Sequence, residues 1–73
     1  MTAAPPKACM VEIGEAAGVI WSTLDKSGPM SLAQLVKKVK EPRDLLMQAL
    51  GWLAREGKID IREERRSRIV SLR

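Results

Sequence analysis

The sequence predicts a small, mainly α-helical domain of three helices with a short strand and a β-ribbon, in the order α-β-α-α-β-β. Three observations support this prediction. Apolar residues recur at helical spacing in three successive segments, glycine or proline stands at the segment boundaries, and residues 59–73 change to the two-residue period of a strand. A chain of 73 residues suffices for one domain with a thin core.

Residues 1–6 are expected to form a disordered tail, because Thr-Ala-Ala-Pro-Pro offers little to bury. The domain itself is expected over residues 7–73. Its first helix should run from residue 7 or 10 to Lys26, and the Gly28-Pro29 pair should end it. The buried face expected for this helix consists of Met10, Ile13, Ala17, Ile20 and Leu24.

Gly14 and Gly18 lie one turn apart inside this helix. Each destabilises a helix interior by about 1 kcal/mol relative to alanine, so another backbone is expected to come close to them. Packing against a helix of the same chain is the preferred explanation. The alternative is a dimer contact through this smooth face, since small residues let helices approach closely.

Met30 follows the Gly-Pro turn and is expected to supply a strand of one or two residues. The second helix should start at Ser31, whose hydroxyl forms a capping-box pattern with Gln34 three positions on. This helix is short and is expected to end in the basic segment 37–40. Its apolar face consists of Leu32, Leu35, Val36 and Val39.

The third helix is expected to take Pro42 as its first residue and to end at Gly57, which can adopt the left-handed conformation. Four apolar residues at i, i+3, i+4 and i+7 predict its buried face. They are Leu46, Ala49, Leu50 and Leu53. Together with the second helix and the short turn between them, this helix makes a helix-turn-helix.

Residues 59–63 and 68–73 alternate apolar and polar positions, so they are expected to pair as a hairpin. The residues expected to face the helices are Ile59, Ile61, Val70 and Leu72. Residues 64–67 contain no Asn-Gly turn, and we therefore expect a loose, arginine-rich loop at the tip.

Three helices capped by a small antiparallel ribbon make a winged helix-turn-helix, a fold that is mainly α with a small β-wing. Two segments, G-V-I-W-S-T-L-D-K-S-G-P-M-S-L-A-Q-L (18–35) and A-L-G-W-L-A-R-E-G-K-I (49–59), resemble a family of small prokaryotic winged helix-turn-helix proteins of unassigned function. The resemblance covers residues 10–73. It implies the fold and a DNA-binding-like architecture, and it brings no catalytic residue and no ligand.

Composition argues against an enzyme. The chain has no His and no Tyr, it has no glycine-rich phosphate loop, and its single cysteine, Cys9, is interpreted as an incidental free thiol. We therefore expect no catalytic residue, metal, cofactor or small-molecule substrate. With no disulfide pair, and no apolar run near the roughly 20 residues of a membrane span, a soluble cytoplasmic protein without membrane contact is expected.

Positive charge concentrates in the second half of the chain, which has a net charge of +4 overall. Residues 1–36 carry two bases against three acids (−1), residues 37–54 four against two (+2), and residues 55–73 seven against four (+3). This distribution is typical of a nucleic-acid binder, but a solvated surface explains it equally well.

If duplex DNA is the partner, the arginines of the hairpin and the lysines at the end of the second helix would bind its phosphates with modest sequence preference. Such a protein could act in transcription regulation. On the third helix, Gln48 could bond adenine, and Arg43 or Arg55 could reach guanine or phosphate, whereas Asp44 would repel phosphate. The expected interface consists of Lys37, Lys38, Lys40, Arg43, Gln48, Arg62, Arg65, Arg66 and Arg68. Alternatively, Glu63 and Glu64 pair with these arginines across the hairpin.

The other candidate function is a protein-interaction module that binds a protein partner or a second copy and no DNA. Trp21 and Trp52 are expected to be core or half-buried residues. If Trp52 is exposed, and acidic residues neutralise the arginines, the interaction function is favoured, because an exposed apolar patch marks a contact surface. The residues expected to serve it are Leu45, Met47, Trp52, Gly14 and Gly18.

Overall fold

The structure is a computed structural model that describes the backbone of residues 6–73 and the side chains from Met10 onward. The elements are helix α1 (Pro6–Ser27), strand β1 (Met30–Ser31), helices α2 (Leu32–Lys38) and α3 (Arg43–Arg55), and strands β2 (Ile59–Glu64) and β3 (Ser67–Leu72). This order confirms the predicted winged helix-turn-helix. The expected tail over residues 1–6 and the Cys9 thiol lie outside the described part, except that α1 already includes Pro6.

The predicted caps hold the first two helices. Gly28 ends α1 with a φ of 80°, and its N–H donates to the carbonyl of Leu24 at 2.8 Å. At the start of α2, the N–H of Gln34 donates to the Ser31 hydroxyl at 3.2 Å, and the Ser31 N–H donates to the Gln34 side chain at 3.0 Å. The capping box is therefore confirmed.

Helix α2 ends at Lys38, within the expected segment 37–40, because Val39 turns to an extended backbone (ψ 111°) while its side chain stays in the core. The start of α3 differs from the prediction. Pro42 is the N-cap of α3 and not its first helical residue, since its ψ of 142° is extended. Its carbonyl accepts the first helical hydrogen bond, from the N–H of Leu46.

Gly57 closes α3 as predicted, with a φ of 73°. Its N–H donates to the carbonyl of Ala54 at 3.1 Å, and the N–H of Lys58 donates to the carbonyl of Leu53 at 2.9 Å. These two bonds form a Schellman motif, which satisfies the last carbonyls of a helix and turns the chain. The chain therefore passes from α3 directly into the first strand of the wing, the β2–β3 ribbon.

The sheet has three antiparallel strands in the order β1-β3-β2. Met30 pairs with Val70, so the predicted short strand is confirmed. Glu64 pairs with Ser67, which leaves a two-residue turn of Arg65 and Arg66. The prediction of a loose loop was therefore wrong. A tight turn forms without glycine because Arg65 itself adopts a positive φ of 57°.

The core lies between the helices and one face of the sheet. All four residues predicted for α3 are buried, as are Ala17, Ile20 and Leu24 of α1. Two predicted core residues are exposed instead. Met10 is 63% exposed, near the beginning of α1, and Ile61 is 42% exposed although it shares a sheet face with fully buried Val70. The remaining buried residues are Ala16, Met30, Leu35, Val39 and Ile59.

Candidate functional site

Three arginines that are distant in sequence line one hollow of about 340 Å³ between α2, α3 and the wing. Arg43 contributes from the first turn of α3, while Arg66 and Arg68 come from the tip and the second strand of the wing. Ser31 and Val36 of the neighbouring segment also line it. We call this hollow the arginine cleft. Three arginines, whose guanidinium groups bind phosphate well, therefore contribute to the lining of one concave surface.

Strand pairing explains why these residues meet. Ser31 pairs with Ile69, and this pairing holds the wing's second strand beside the beginning of α2. The short turn after α2 then returns the chain, so that α3 starts with Arg43 at the same end. All three arginines were predicted individually as nucleic-acid contacts. Ser31 and Val36 were not predicted, because only the tertiary structure places them at the cleft.

Acidic side chains partly neutralise the wing. Three pairs are present, namely Arg68–Glu63 at 3.9 Å, Arg62–Glu64 at 3.6 Å and Arg73–Asp60 at 3.7 Å. Glu63 therefore pairs with an arginine across the hairpin, as the alternative expected, whereas Glu64 pairs with Arg62 along the same strand. All six side chains are more than half exposed, and such pairs contribute little to stability. A phosphate could compete for these arginines at small cost.

Three other arginines of the expected interface form no ion pair with the described side chains, residues 10–73, namely Arg43, Arg65 and Arg66. Arg65 also holds the left-handed conformation in which a residue with a Cβ is strained by roughly 1–2 kcal/mol. Strain of this kind often accompanies function. The tip of the wing thus carries two charged arginines, and at one of them, Arg65, glycine or asparagine would be more stable.

The remaining predicted DNA contacts do not join the arginine cleft. Lys37 and Lys38 line a separate hollow with Pro29 and Gln34. Three more lie elsewhere on the surface, and all are exposed: Lys40 in the turn after α2, Gln48 midway along α3 and Arg62 on β2. The predicted set therefore splits into one group around the cleft and several outlying residues.

A second concave surface, of about 390 Å³, lies where α1 meets the end of α3. Gly14 and Gly18 line it from α1 together with Trp21, and Trp52 lines it from α3. Both tryptophans are exposed, at 41% and 42% respectively. We call this surface the tryptophan groove. Lys58 adds a positive charge to its lining.

This groove corrects two expectations. Gly14 and Gly18 do not pack against a helix of the same chain, since a Cβ added at either position would meet nothing within 4 Å. The expected patch of Trp52 with Leu45 and Met47 does not form either, because both aliphatic residues are partly buried against the core. Trp52 instead shares a surface with the two glycines. Both tryptophans lie outside the core.

Trp21 is the residue that sequence reasoning failed to place at this surface. It follows Gly18 by three positions and Gly14 by seven, and residues at these separations share one helix face. This spacing was sufficient to predict that Trp21 lies on the face of the two glycines. Trp21 was instead assigned to the core, because it is adjacent in sequence to Ile20, which is buried.

No group of three or more His, Cys, Asp or Glu side chains that could hold a metal ion occurs among the described residues. The described helices include none that is both long and apolar enough to cross a membrane.

Comparison with known proteins agrees with the architecture. Residues 7–72 match the family described as Winged helix-turn-helix domain (DUF2582). The chain is also 34% identical over 65 residues to the uncharacterized protein MJ1608 of Methanocaldococcus jannaschii, an alignment that covers 85% of this chain and 91% of that relative. No solved structure matches the chain. With nearly its whole length matched and its elements in the order of a winged helix, the chain belongs to the winged helix-turn-helix family DUF2582.

Proposed function

We propose that the protein binds duplex nucleic acid through the arginine cleft and the tip of the wing, and that it acts in transcription regulation. The observation that carries this proposal is the convergence of Arg43, Arg66 and Arg68 on one hollow beside the start of α3. In winged helix proteins that bind DNA, α3 enters the major groove and the wing reaches the backbone or minor groove. The cleft lies between those two elements.

Phosphate contacts dominate this interaction. The exposed face of α3 offers Gln48 for base contacts, but Asp44 in the first turn opposes phosphate, and Met47 is partly buried. Base readout is accordingly slight, and binding depends on charge and on duplex shape. Lys37, Lys38 and Lys40 add attraction from outside the cleft without fixing the orientation of the duplex.

The test is an NMR titration of the labelled protein with a short duplex of random sequence at low and moderate salt. We expect shifts at the amides of Arg43 and of residues 65–68, while the amides of Gly14 and Gly18 do not move. If three phosphates are contacted, the affinity should fall about 40-fold when the salt concentration rises from roughly 50 mM to 200 mM. An unchanged spectrum at low salt would sink the proposal.

Protein interaction is the second candidate function, and the tryptophan groove favours it. Two wing arginines, together with Arg73 just after the wing, are paired with acids while Trp52 is exposed, the combination expected for such a module. The groove and the arginine cleft share no lining residue. Both functions can therefore operate in one molecule, and the nature of the groove's occupant is a separate question.

A further inference from the structure

Both tryptophans of the chain lie at the tryptophan groove, and each comes from a different helix. Trp21 belongs to α1 and Trp52 to α3, and their side chains are 41% and 42% exposed. The buried core consists of aliphatic residues, so the two largest apolar side chains remain at the surface. Tryptophan is enriched among the residues that carry binding energy at protein interfaces. The groove therefore offers two indole rings to an occupant.

Two small residues keep the space beside the indole rings open. Gly14 and Gly18 line the groove, and a Cβ added at either position would meet nothing within 4 Å. The groove has a volume of about 390 Å³. This volume is at the lower end of the roughly 300–1,000 Å³ of binding pockets, so it suits one large side chain with its neighbours.

Lys58 gives the groove a positive charge at a fixed position. Its N–H donates to the carbonyl of Leu53 at 2.9 Å, and its carbonyl accepts from the N–H of Arg73 at 3.0 Å. Lys58 forms no ion pair with the side chains of residues 10–73, which are those described. No acidic side chain within that range lines the groove. An occupant with negative charge is therefore favoured.

The openness of the groove favours a protein segment over a free small molecule. Sites for small molecules usually enclose most of the ligand surface. Both tryptophans border open solvent, so an occupant of this groove stays partly exposed. A side chain carried by another protein suits such a surface, because the rest of the partner covers what the groove leaves open.

The chain itself contains no aromatic residue besides Trp21 and Trp52, and both belong to the groove. An aromatic side chain is the natural counterpart of two exposed indoles, since aromatic rings pack in offset or edge-to-face geometry in addition to burying area. Such a side chain must come from a different protein. The groove thus selects for two features in its occupant, an aromatic ring and a negative charge.

We propose that the tryptophan groove binds a short segment of another protein in which an aromatic side chain adjoins acidic residues. The aromatic ring packs against Trp21 and Trp52 beside the bare backbone of Gly18, and a neighbouring carboxylate pairs with Lys58. This inference rests on the second candidate function, protein interaction. It does not depend on nucleic-acid binding, because the arginine cleft shares no lining residue with the groove.

The test is an NMR titration of the labelled full chain with three capped peptides. Acetyl-Asp-Phe-Asp-amide carries the ring and the negative charge, acetyl-Lys-Phe-Lys-amide reverses the charge, and acetyl-Asp-Leu-Asp-amide replaces the ring with an aliphatic side chain. The two tryptophans of the chain both line the groove, so the two indole N–H signals report directly on this surface.

We expect the acidic aromatic peptide to shift both indole signals with a dissociation constant on the order of 1 mM, as befits a contact of a few side chains. The other two peptides should bind about threefold to tenfold more weakly. This difference corresponds to the loss of one exposed ion pair or of one aromatic contact.

Two pairs of variants locate the contact. Gly18→Leu fills the groove, and Gly51→Leu is its matched control, since both glycines are helical and exposed with open space around a new Cβ. Lys58→Gln removes the charge of the groove, and Lys40→Gln removes an exposed lysine outside it. Circular dichroism checks that all four variants are folded. We expect Gly18→Leu to abolish the shifts and Lys58→Gln to weaken binding about threefold, whereas both controls bind like the wild type.

Indole signals that do not respond to the acidic aromatic peptide at about 10 mM, tenfold above the expected dissociation constant, overturn the proposal. Equal binding of the charge-reversed peptide overturns it as well. Tighter binding of the aliphatic peptide would contradict the aromatic contact but leave protein interaction in place, whereas no response to any of the three peptides would count against both. Indole signals that change with protein concentration alone would show that a second copy fills the groove, which also contradicts the proposal. No duplex is present, so the nucleic-acid function keeps its own test.

Discussion

Glu63 lies directly opposite Arg68 across the wing, with its Oε2 3.9 Å from the Arg68 Nε. Arg68 is one of the three arginines of the cleft. The carboxylate therefore competes with any phosphate that enters the cleft. Because both side chains are largely exposed, this competition affects anion binding more than it affects folding.

Replacing Glu63 with glutamine should strengthen nucleic-acid binding. The change removes a negative charge beside the cleft and leaves Arg68 available for a phosphate. One additional phosphate contact makes the negative slope of log K against log salt steeper by about 0.9. Fluorescence anisotropy with a labelled duplex at several salt concentrations measures both effects, and unfolding stability should change by less than about 0.5 kcal/mol. Weaker binding by Glu63→Gln would contradict the assignment of Arg68 to the interface.

Removing a cleft arginine should weaken binding more than removing one outside the cleft. We expect Arg66→Ala to weaken binding severalfold and to lower the salt slope by about 0.9, because one phosphate contact is lost. Arg55→Ala is the control, since it removes the same charge at the other end of α3. Equal losses for the two variants would mean that binding responds to net charge alone and that the cleft has no special part.

Arg65→Gly should separate stability from binding. Arg65 occupies a left-handed conformation (φ 57°) that glycine adopts without strain, so we expect a gain of about 0.5 kcal/mol in the free energy of unfolding. Duplex binding should fall at the same time, because a charge leaves the tip of the wing. Urea unfolding and anisotropy measure the two quantities. A variant that is less stable than the wild type would show that the turn favours arginine for a reason other than charge.

Val70 and Ile61 provide a matched test of the core. They lie opposite each other on one sheet face, yet Val70 is fully buried and Ile61 is 42% exposed. Val70→Ala should lower the free energy of unfolding by about 2 kcal/mol, and Ile61→Ala by less than half of that, although isoleucine loses more carbon atoms. Thermal unfolding gives the comparison, and a larger loss at Ile61 would mean that an additional contact covers it.

The two glycines at positions 57 and 51 should respond oppositely to alanine. Gly57 has a φ of 73° in the Schellman motif, so Gly57→Ala is expected to destabilise the protein by about 1 kcal/mol. Gly51 lies within α3 in open space, and Gly51→Ala should stabilise by a similar amount. Urea denaturation distinguishes the signs. A loss of stability in both variants would place a close neighbour at Gly51.

The sequence alone determined the order of the elements and most of their ends. Local chemistry is sufficient for this. Ser31 and Gln34 cap one helix through their own side chains, Gly57 closes another through its conformational freedom, and the period of apolar residues identifies the buried face of α3. These features depend on neighbours within a few positions along the chain, and they can therefore be predicted without the tertiary structure.

Only the tertiary structure decided which residues of a given face are covered. A helical or strand period shows that Met10 and Ile61 share faces with core residues, but it does not show where the opposing element stops, and both are exposed. The same limit applies to the two surfaces. Arg43 joins Arg66, and Trp52 joins Gly18, only because non-local packing brings distant segments together, and no local interaction encodes that distance.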